Sequence, residues 1–430
     1  MPERFTRETD SQENLRGSSL RSLKPPEKGS RKSVMRPVKR FIKEGFRRFG
    51  LDIARYTPDP FDRVVSIPYG RRPRGHVLIS YRLEPFLLKE GEPIPHSHTN
   101  YWESLQIART FLELGYSVDV IDFRNAAFVP KRRYALFLDV RHNLERIGPL
   151  LNEDCIKVFH IDTSQIVFHN WAETIRLLEL QKRKGVTLLP RRIEWPNLGI
   201  EYADCATLLG NEVTMKTFQY ANKPVYPIPI SQAVLYDWPE EKDFEACRKN
   251  FLWFGSGGLA RKGLDLVLEI FAGLPDYRLT VCGPVQRESD FEKLYYKELY
   301  ETENIRTLGW VDIQSRAFLE ATGNSLALIY PSCAEGQCGG VVTCMHRGLI
   351  PIVSLESGVD VNEDLGILLK DCSIETIEKA VRMISGLPAE KLRRMARNAW
   401  DFARANHTRE RSAEIFRKTI EKILATHAKT

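Results

Sequence analysis

The sequence predicts an α/β protein built from two parallel-sheet halves. Three observations carry that prediction. The chain has 430 residues, more than one hydrophobic core normally holds. Short apolar runs of strand length alternate with amphipathic stretches of helix length, the pattern of a parallel sheet covered on both faces. The alternation stops in a charged, irregular segment, SQAVLYDWPEEKDFEACRKN (231–250), and then starts again.

The first series is expected to begin near Gly75. HVLISY (76–81) reads as a buried strand, NYWESLQIARTFLELGY (100–116) as a helix with Leu105, Ile107, Ala108, Phe111, Leu112 and Leu114 on its apolar side, and SVDVIDF (117–123) as the next strand. ALFLDV (135–140), KVFHID (157–162), TLLP (187–190) and ATLLG (206–210) read as later strands, and PVYPIPI (224–230) as an extended exit. The second series runs FLWFGS (251–256), a helix over 262–274, RLTVCG (278–283), DFEKLYYKELY (290–300), IRTLGW (305–310), a helix over 314–322, LALIYPS (326–332), a short helix over 339–347, IPIVSL (350–355) and GILLK (366–370). Helices follow over SIETIEKAVRMISG, PAEKLRRMARNAWDFARANH and 412–424. Two such Rossmann-like halves place a site in the cleft between them, at the carboxyl ends of the strands.

Composition narrows the class. Hydrophobic residues at 43% and charged residues at 28% fit a soluble globular chain rather than a disordered one. No apolar run of eighteen residues occurs, so no spanning helix is predicted, and the first twenty residues lack the apolar core of a secretory signal. The eight cysteines form no CxxC pair or tight Cys/His cluster. That pattern argues against a disulfide scaffold or a zinc site and for a reducing, cytoplasmic setting.

The net charge of +7 is unevenly placed. Residues 1–56 hold 15 Lys+Arg against 7 Asp+Glu, leaving the remainder with 48 against 49. The folded body is neutral, so it lacks the basic groove of a nucleic-acid enzyme. Residues 1–33 read as a disordered arm. In 34–56, Val38, Phe41, Ile42, Phe46 and Phe49 follow helical spacing between Lys and Arg residues. That segment suits either an anionic membrane surface, with the protein peripheral on its cytoplasmic face, or a helix packed on the body.

Two elements carry chemistry. FGSGGLARKG (254–263) places glycines after a strand and Arg261-Lys262 at a helix start. There, backbone N–H groups, the helix terminus and a point charge favour a phosphate; the alternative is a tight turn with solvated cations. YPSCAEGQCGGVVTCMHRGLIPIVS (330–354) ends a strand, carries Glu335, and opens a short helix with Gly336, Gly339 and Gly340. A carboxylate beside amides at a helix N-terminus suits a ligand presenting both phosphate and hydroxyls; the alternative is a capping Glu.

Five landmarks in order resemble the donor domain of family 4 retaining glycosyltransferases with the GT-B fold. They are the loop ending in Lys262-Gly263 with LDLVLEIF, RLTVCGP (278–284), NIRTLGWV (304–311), PSCAEGQCGG (331–340) and RGLIPIVSLESG (347–358). The first half resembles the family more loosely, and the likeness covers roughly 76–425. The resemblance implies an acceptor domain over 70–235, a donor domain over 250–405, and a terminal segment 406–430 that packs back on the first domain. It implies that Lys262 meets the donor diphosphate and that Glu335 contacts the donor sugar. Gly336, Gln337, Cys338, Gly339 and Gly340 would approach sugar and phosphate, and Gly255 and Gly257 would face the diphosphate. No metal or other cofactor is implied, because Lys, Arg and helix dipoles offset the leaving-group charge.

Three departures stand out. Thr343 occupies the place of the family's second Glu, which grips the ribose; Asp360 or Glu363 is the candidate replacement. The family's loop Arg falls on Gly257, with Arg261 as a substitute. HSHTNYWE (96–103) replaces the glycine pair after the first strand; its two His are too few for a metal site, and it reads as an acceptor loop. His160, ending a strand, is the expected His of the acceptor side, with His169 second. Arg191 and Arg192 suit an anionic acceptor or solvent alike. The expected activity is transfer of a hexose-type sugar from a nucleotide-sugar to a glycan, lipid-linked or small-molecule acceptor, as in polysaccharide biosynthesis. The rivals are a non-catalytic GT-B scaffold, a sugar phosphorylase and a nucleotide-sugar epimerase.

Overall fold

A computed structural model describes residues 59–427. The basic arm and the amphipathic stretch 34–56 lie outside the described residues. The first half is a seven-stranded sheet: β1 (Val64–Ile67), β2 (His76–Tyr81), β3 (Ser117–Asp122), β4 (Leu136–Asp139), β5 (Ile156–Ile161), β6 (Cys205–Leu208) and β7 (Val225–Pro227), in the order β1-β3-β2-β4-β5-β6-β7. β1 is antiparallel to β3, and every other pair is parallel. The second half is a six-stranded parallel sheet: β8 (Asn250–Phe254), β9 (Arg278–Cys282), β10 (Ile305–Gly309), β11 (Ala327–Tyr330), β12 (Ile350–Ser354) and β13 (Ile367–Leu369), in the order β10-β9-β8-β11-β12-β13. Strands such as β4 and β11 are buried at every position, as expected of strands covered on both faces.

Each sheet reverses direction of winding once, between β2 and β4 and between β8 and β11. Such switch points leave a crevice beyond the strand ends. Helix Leu264–Ala272 starts beside this crevice, after Gly263. At φ +76° Gly263 adopts a left-handed backbone, and a Cβ there would stand 2.6 Å from the Pro331 carbonyl oxygen, so glycine is needed on both counts.

Three readings of the sequence change. The folded body starts at β1 rather than near Gly75; β1 has only four residues, half of them exposed, too short a pattern to separate from a loop. TLLP is not a strand. It belongs to a strap over 186–198 that runs beside helix Ile166–Lys184, pinned by side chains rather than by a ladder. The Glu173 carboxylate accepts from the Arg191 and Arg192 N–H groups, and Asn170 exchanges two hydrogen bonds with Glu194. That helix is itself an addition. Gln165 caps its start by accepting from Val167 and Phe168, Lys182, Arg183 and Lys184 fill its last turn, and Gly185 ends it.

Helix Ile166–Lys184 ties the halves together. Leu180 and Leu188 join the core built around Trp253, Phe251 and Val267. Arg176 donates to the Ala260 and Pro331 carbonyls, and Arg183 pairs with Asp265 at 2.6 Å. The chain crosses between halves again after helix Ala389–Asn406, and helix Arg409–His427 buries Phe416, Ile420 and Ile423 against Ile107 and Phe111 of the first half. The two crossings touch: the Gln232 N–H donates to the His407 carbonyl, and His407 Nδ1 stands 3.2 Å from the Ile230 carbonyl. Among the described residues no helix is long and apolar enough to cross a membrane.

Candidate functional site

A cleft of about 260 Å³ opens where the two sets of strand ends face each other. On the second half's wall, the ends of β8 and β11 and the loop between β11 and helix Gly339–His346 bring Lys262, Arg261, Tyr330 and Glu335 together. Four donors converge on one oxygen of Glu335. Oε1 lies 2.6 Å from Lys262 Nζ, 2.9 Å from the Tyr330 hydroxyl, 3.2 Å from Arg261 Nη2 and 3.2 Å from Ser332 Oγ. No hydrogen bond from a described residue reaches Oε2, which leaves this acceptor for the cleft. Burial alone would raise the Glu335 carboxyl, but Arg261 and Lys262 outweigh it and hold the group well below the usual carboxylate range.

Arg261 is 2% exposed and also donates to the Ala334 carbonyl. Lys262 shares its ammonium between Glu335 and the Tyr330 hydroxyl, at 2.7 Å from the latter. Helix Gly339–His346 has no side-chain cap, so its first-turn N–H groups, at the cleft-lining Gly339 and Gly340, lack intrahelical partners.

Other expected residues have different roles. Gly336 lines the cleft, but a Cβ there would stand 2.3 Å from the Asp162 carbonyl oxygen and 2.8 Å from that of Leu209; its glycine lets the two halves close on each other. Gln337 is spent as a brace, accepting from the Ile230 N–H at 2.6 Å and donating to the Gly358 carbonyl. Cys338 is buried, and burial raises its thiol. Gly255 lines the cleft, whereas Gly257 does not. The amides after Gly257 already hold an internal anion: Glu288 accepts from the Gly258 N–H at 2.5 Å and the Leu259 N–H at 3.2 Å.

Thr343 faces the cleft paired with Gln232, whose amide nitrogen donates to its hydroxyl at 3.0 Å, and itself donates to the Gly339 carbonyl. Neither Asp360 nor Glu363 lines the cleft; Gln232 is the polar neighbour standing in that place.

On the first half's wall the expected histidine moves. His160 is buried among Tyr81, Phe416 and Thr207. It lines a separate cavity of about 20 Å³ and is absent from the cleft lining, because it lies under helices Asn100–Glu113 and Arg409–His427, which cover that face of the sheet. Burial holds its ring down at about 4. His169 bridges Thr163 Oγ1 and the Arg192 carbonyl under the strap. Arg191 pairs with Asp290, while Arg192 lines the cleft.

The histidine that does face the cleft is His98, from the loop before helix Asn100–Glu113. Its Nδ1 accepts from the Asn100 N–H at 3.2 Å, which puts the proton of the neutral ring on Nε2. The ring is exposed at the cleft; partial loss of solvent there, then Arg82, lowers its pKa, which favours the neutral form at pH 7. Below it, Glu103 receives the Tyr81 hydroxyl at 3.1 Å, and burial raises its carboxyl to about 7. Arg141 forks Asp162. At the mouth, His96 Nε2 meets both oxygens of Asp312 at 3.1 Å, linking the halves. Sequence reasoning reached the 96–103 loop but not the roles of His98 and Glu103; Glu103 is a charged residue on a buried helix side that also carries Asn100, Ser104 and Thr110. Among the described residues no group of three or more His, Cys, Asp or Glu stands together as a metal site.

No family model matches the chain, and no curated protein matches it. Solved structures do. Sucrose-phosphate synthase from Thermosynechococcus elongatus is similar over 83% of this chain and 100% of its own, at 15% identity and TM-score 0.57. α,α-Trehalose 6-phosphate synthase from Burkholderia multivorans is similar over 83% and 97%, at 10% identity and TM-score 0.53. The chain has the GT-B fold. HepE of Anabaena, solved in complex with UDP and glucose, shares that architecture over 82% of this chain and 99% of its own, at 12% identity and TM-score 0.52.

Proposed function

We propose that this GT-B protein is a nucleotide-sugar-dependent glycosyltransferase. One observation carries the reading: Glu335 has one oxygen saturated by Lys262, Arg261, Tyr330 and Ser332, and the other open to a cleft beside the uncapped helix at Gly339. An open carboxylate oxygen accepts sugar hydroxyls, and adjacent amides and a cation accept phosphate. A sugar carried on a diphosphate presents both. The relatives solved with UDP and glucose support a uridine nucleotide as the donor to try first.

In the proposed reaction an acceptor hydroxyl oxygen bonds to the anomeric carbon while the bond from that carbon to the diphosphate oxygen breaks. The acceptor proton passes to the departing phosphate oxygen, and configuration is retained. Lys262 and the helix terminus stabilise the charge developing on the leaving group. His98 Nε2–H donates to the transferred sugar from the opposite wall, and Arg192 and Asp162 border the acceptor. The acceptor is a glycan, a lipid-linked sugar or a small molecule, and the protein is peripheral on a membrane.

The test is a thermal-shift panel of UDP, GDP, ADP, CMP and their sugar conjugates. A ligand at a hundredfold excess over Kd stabilises the native state by about 2.7 kcal/mol. The expected result is a selective shift with one nucleoside diphosphate and its sugar. A flat panel on folded protein overturns the reading in favour of a non-catalytic scaffold.

A further inference from the structure

Helix Ile166–Lys184 has two apolar sides. One enters the core through Leu180. The other is a stripe at helical spacing, Val167, Trp171, Ile175 and Leu178, that is exposed along its length, with Trp171 at 58%. The strap over 186–198, fixed alongside by Asn170, Glu173 and His169, adds exposed Leu189, Ile193 and Trp195, the last at 77%. Apolar side chains clustered in this way on a monomer mark an interaction surface. No described residue covers them.

We infer that this face rests on an anionic lipid surface and that the acceptor is carried in that surface. Three features favour lipid over protein. Segment 166–198 holds six Lys+Arg (Arg176, Lys182, Arg183, Lys184, Arg191, Arg192) against three Glu (Glu173, Glu179, Glu194); Arg176 is buried and Arg183, Lys184 and Arg191 pair with carboxylates outside the segment, which leaves Lys182 and Arg192 to meet anionic headgroups. Two of the segment's exposed apolar side chains, Trp171 and Trp195, are tryptophans, which settle at the level of the headgroups. The chain also carries a basic arm with apolar residues at helical spacing over 34–56, and stable surface binding takes two signals. The face is continuous with the cleft, because Arg192 belongs to the strap and lines the site. A lipid-borne hydroxyl would thus reach the cleft past Arg192 while its chain stays in the bilayer. The inference concerning the acceptor rests on the glycosyltransferase reading; the lipid contact does not.

The experiment uses the full chain with vesicles of phosphatidylcholine alone and with phosphatidylglycerol added. The expected result is cosedimentation with the anionic vesicles and quenching of tryptophan fluorescence by brominated lipid. The double variant Trp171→Glu, Trp195→Glu should lose at least about tenfold in partitioning while keeping the wild-type nucleotide-induced thermal shift. Absent sedimentation of wild type, or a double variant that sediments as wild type does, overturns the inference. So does a concentration-dependent dimer that the double variant abolishes, since that makes a second copy the occupant. Loss of the nucleotide shift in wild type overturns the donor reading instead, and leaves the vesicle result to be judged by itself.

Discussion

The two walls of the cleft handle charge in opposite ways. On the second half, the single carboxylate of Glu335 meets two cations, Arg261 and Lys262, which leaves a positive surplus beside the cleft. On the first half, burial raises the Glu103 carboxyl to about 7, while His98, exposed at the cleft, is lowered by partial loss of solvent and by Arg82. A positive surplus around Glu335 suits a ligand that brings negative charge; the other wall, where Arg141 and Asp162 neutralise each other beside His98 and Glu103, suits hydroxyls. The contrast teaches that burial pushes a lone carboxyl toward neutrality and that adjacent cations override it.

The largest expected effect breaks the paired wall. Glu335→Gln keeps the volume but leaves Arg261 and Lys262 buried without their anion, and turns one cleft-facing acceptor into a donor. Transfer is expected to fall about 10²–10³-fold, with a stability loss of roughly 3–5 kcal/mol for breaking a buried pair. Steady-state kinetics beside calorimetric melting checks this, and wild-type turnover in the variant would sink the role assigned to Glu335. Alanine is less informative there, since it also opens a void.

The next effect probes the neutral wall. Folding raises the Glu103 carboxyl from its ordinary 4.5 to about 7, so the unfolded chain releases that proton first as pH rises. The stability linked to Glu103 is therefore intact below about pH 4.5 and lost on going up through pH 7, on the order of 3 kcal/mol in total. Glu103→Gln should flatten that part of the stability–pH curve relative to wild type, as urea titrations from pH 4.5 to 8 would reveal. Parallel curves would mean that Glu103 is ionised in the native protein.

The smallest effect concerns one hydrogen bond. His98→Ala removes a neutral donor from the cleft without stranding a charge and is expected to cost about tenfold in kcat/KM. His98→Gln, which retains an N–H donor, should recover part of it. Equal losses in both variants would assign the loop a packing role.

The second half was legible in the sequence because its strands are apolar runs between glycines and prolines, and because landmarks such as PSCAEGQCGG have fixed spacing. Lys262, Arg261 and Glu335 meet as that spacing implies. Helix Ile166–Lys184 went unread although its apolar residues recur at helical spacing as in helix Asn100–Glu113; its inner side carries His169, Glu173 and Arg176 in place of a continuous apolar stripe. His160 was expected at the cleft because it ends a strand, but helices Asn100–Glu113 and Arg409–His427 cover it, while the 96–103 loop carries His98 to the cleft. Glu288 in the glycine loop had no local signal, because its partners lie thirty residues away in the chain.

The paired crossings have a mechanical consequence. Ile230, Gln232 and His407 join the two interhalf passages by hydrogen bonds, so the passages act as one pivot rather than two independent tethers. Helix Ile166–Lys184 is a separate tie, through Arg176, Arg183 and Leu180, so any swing about that pivot must also part buried contacts, and His96 with Asp312 holds the mouth as well.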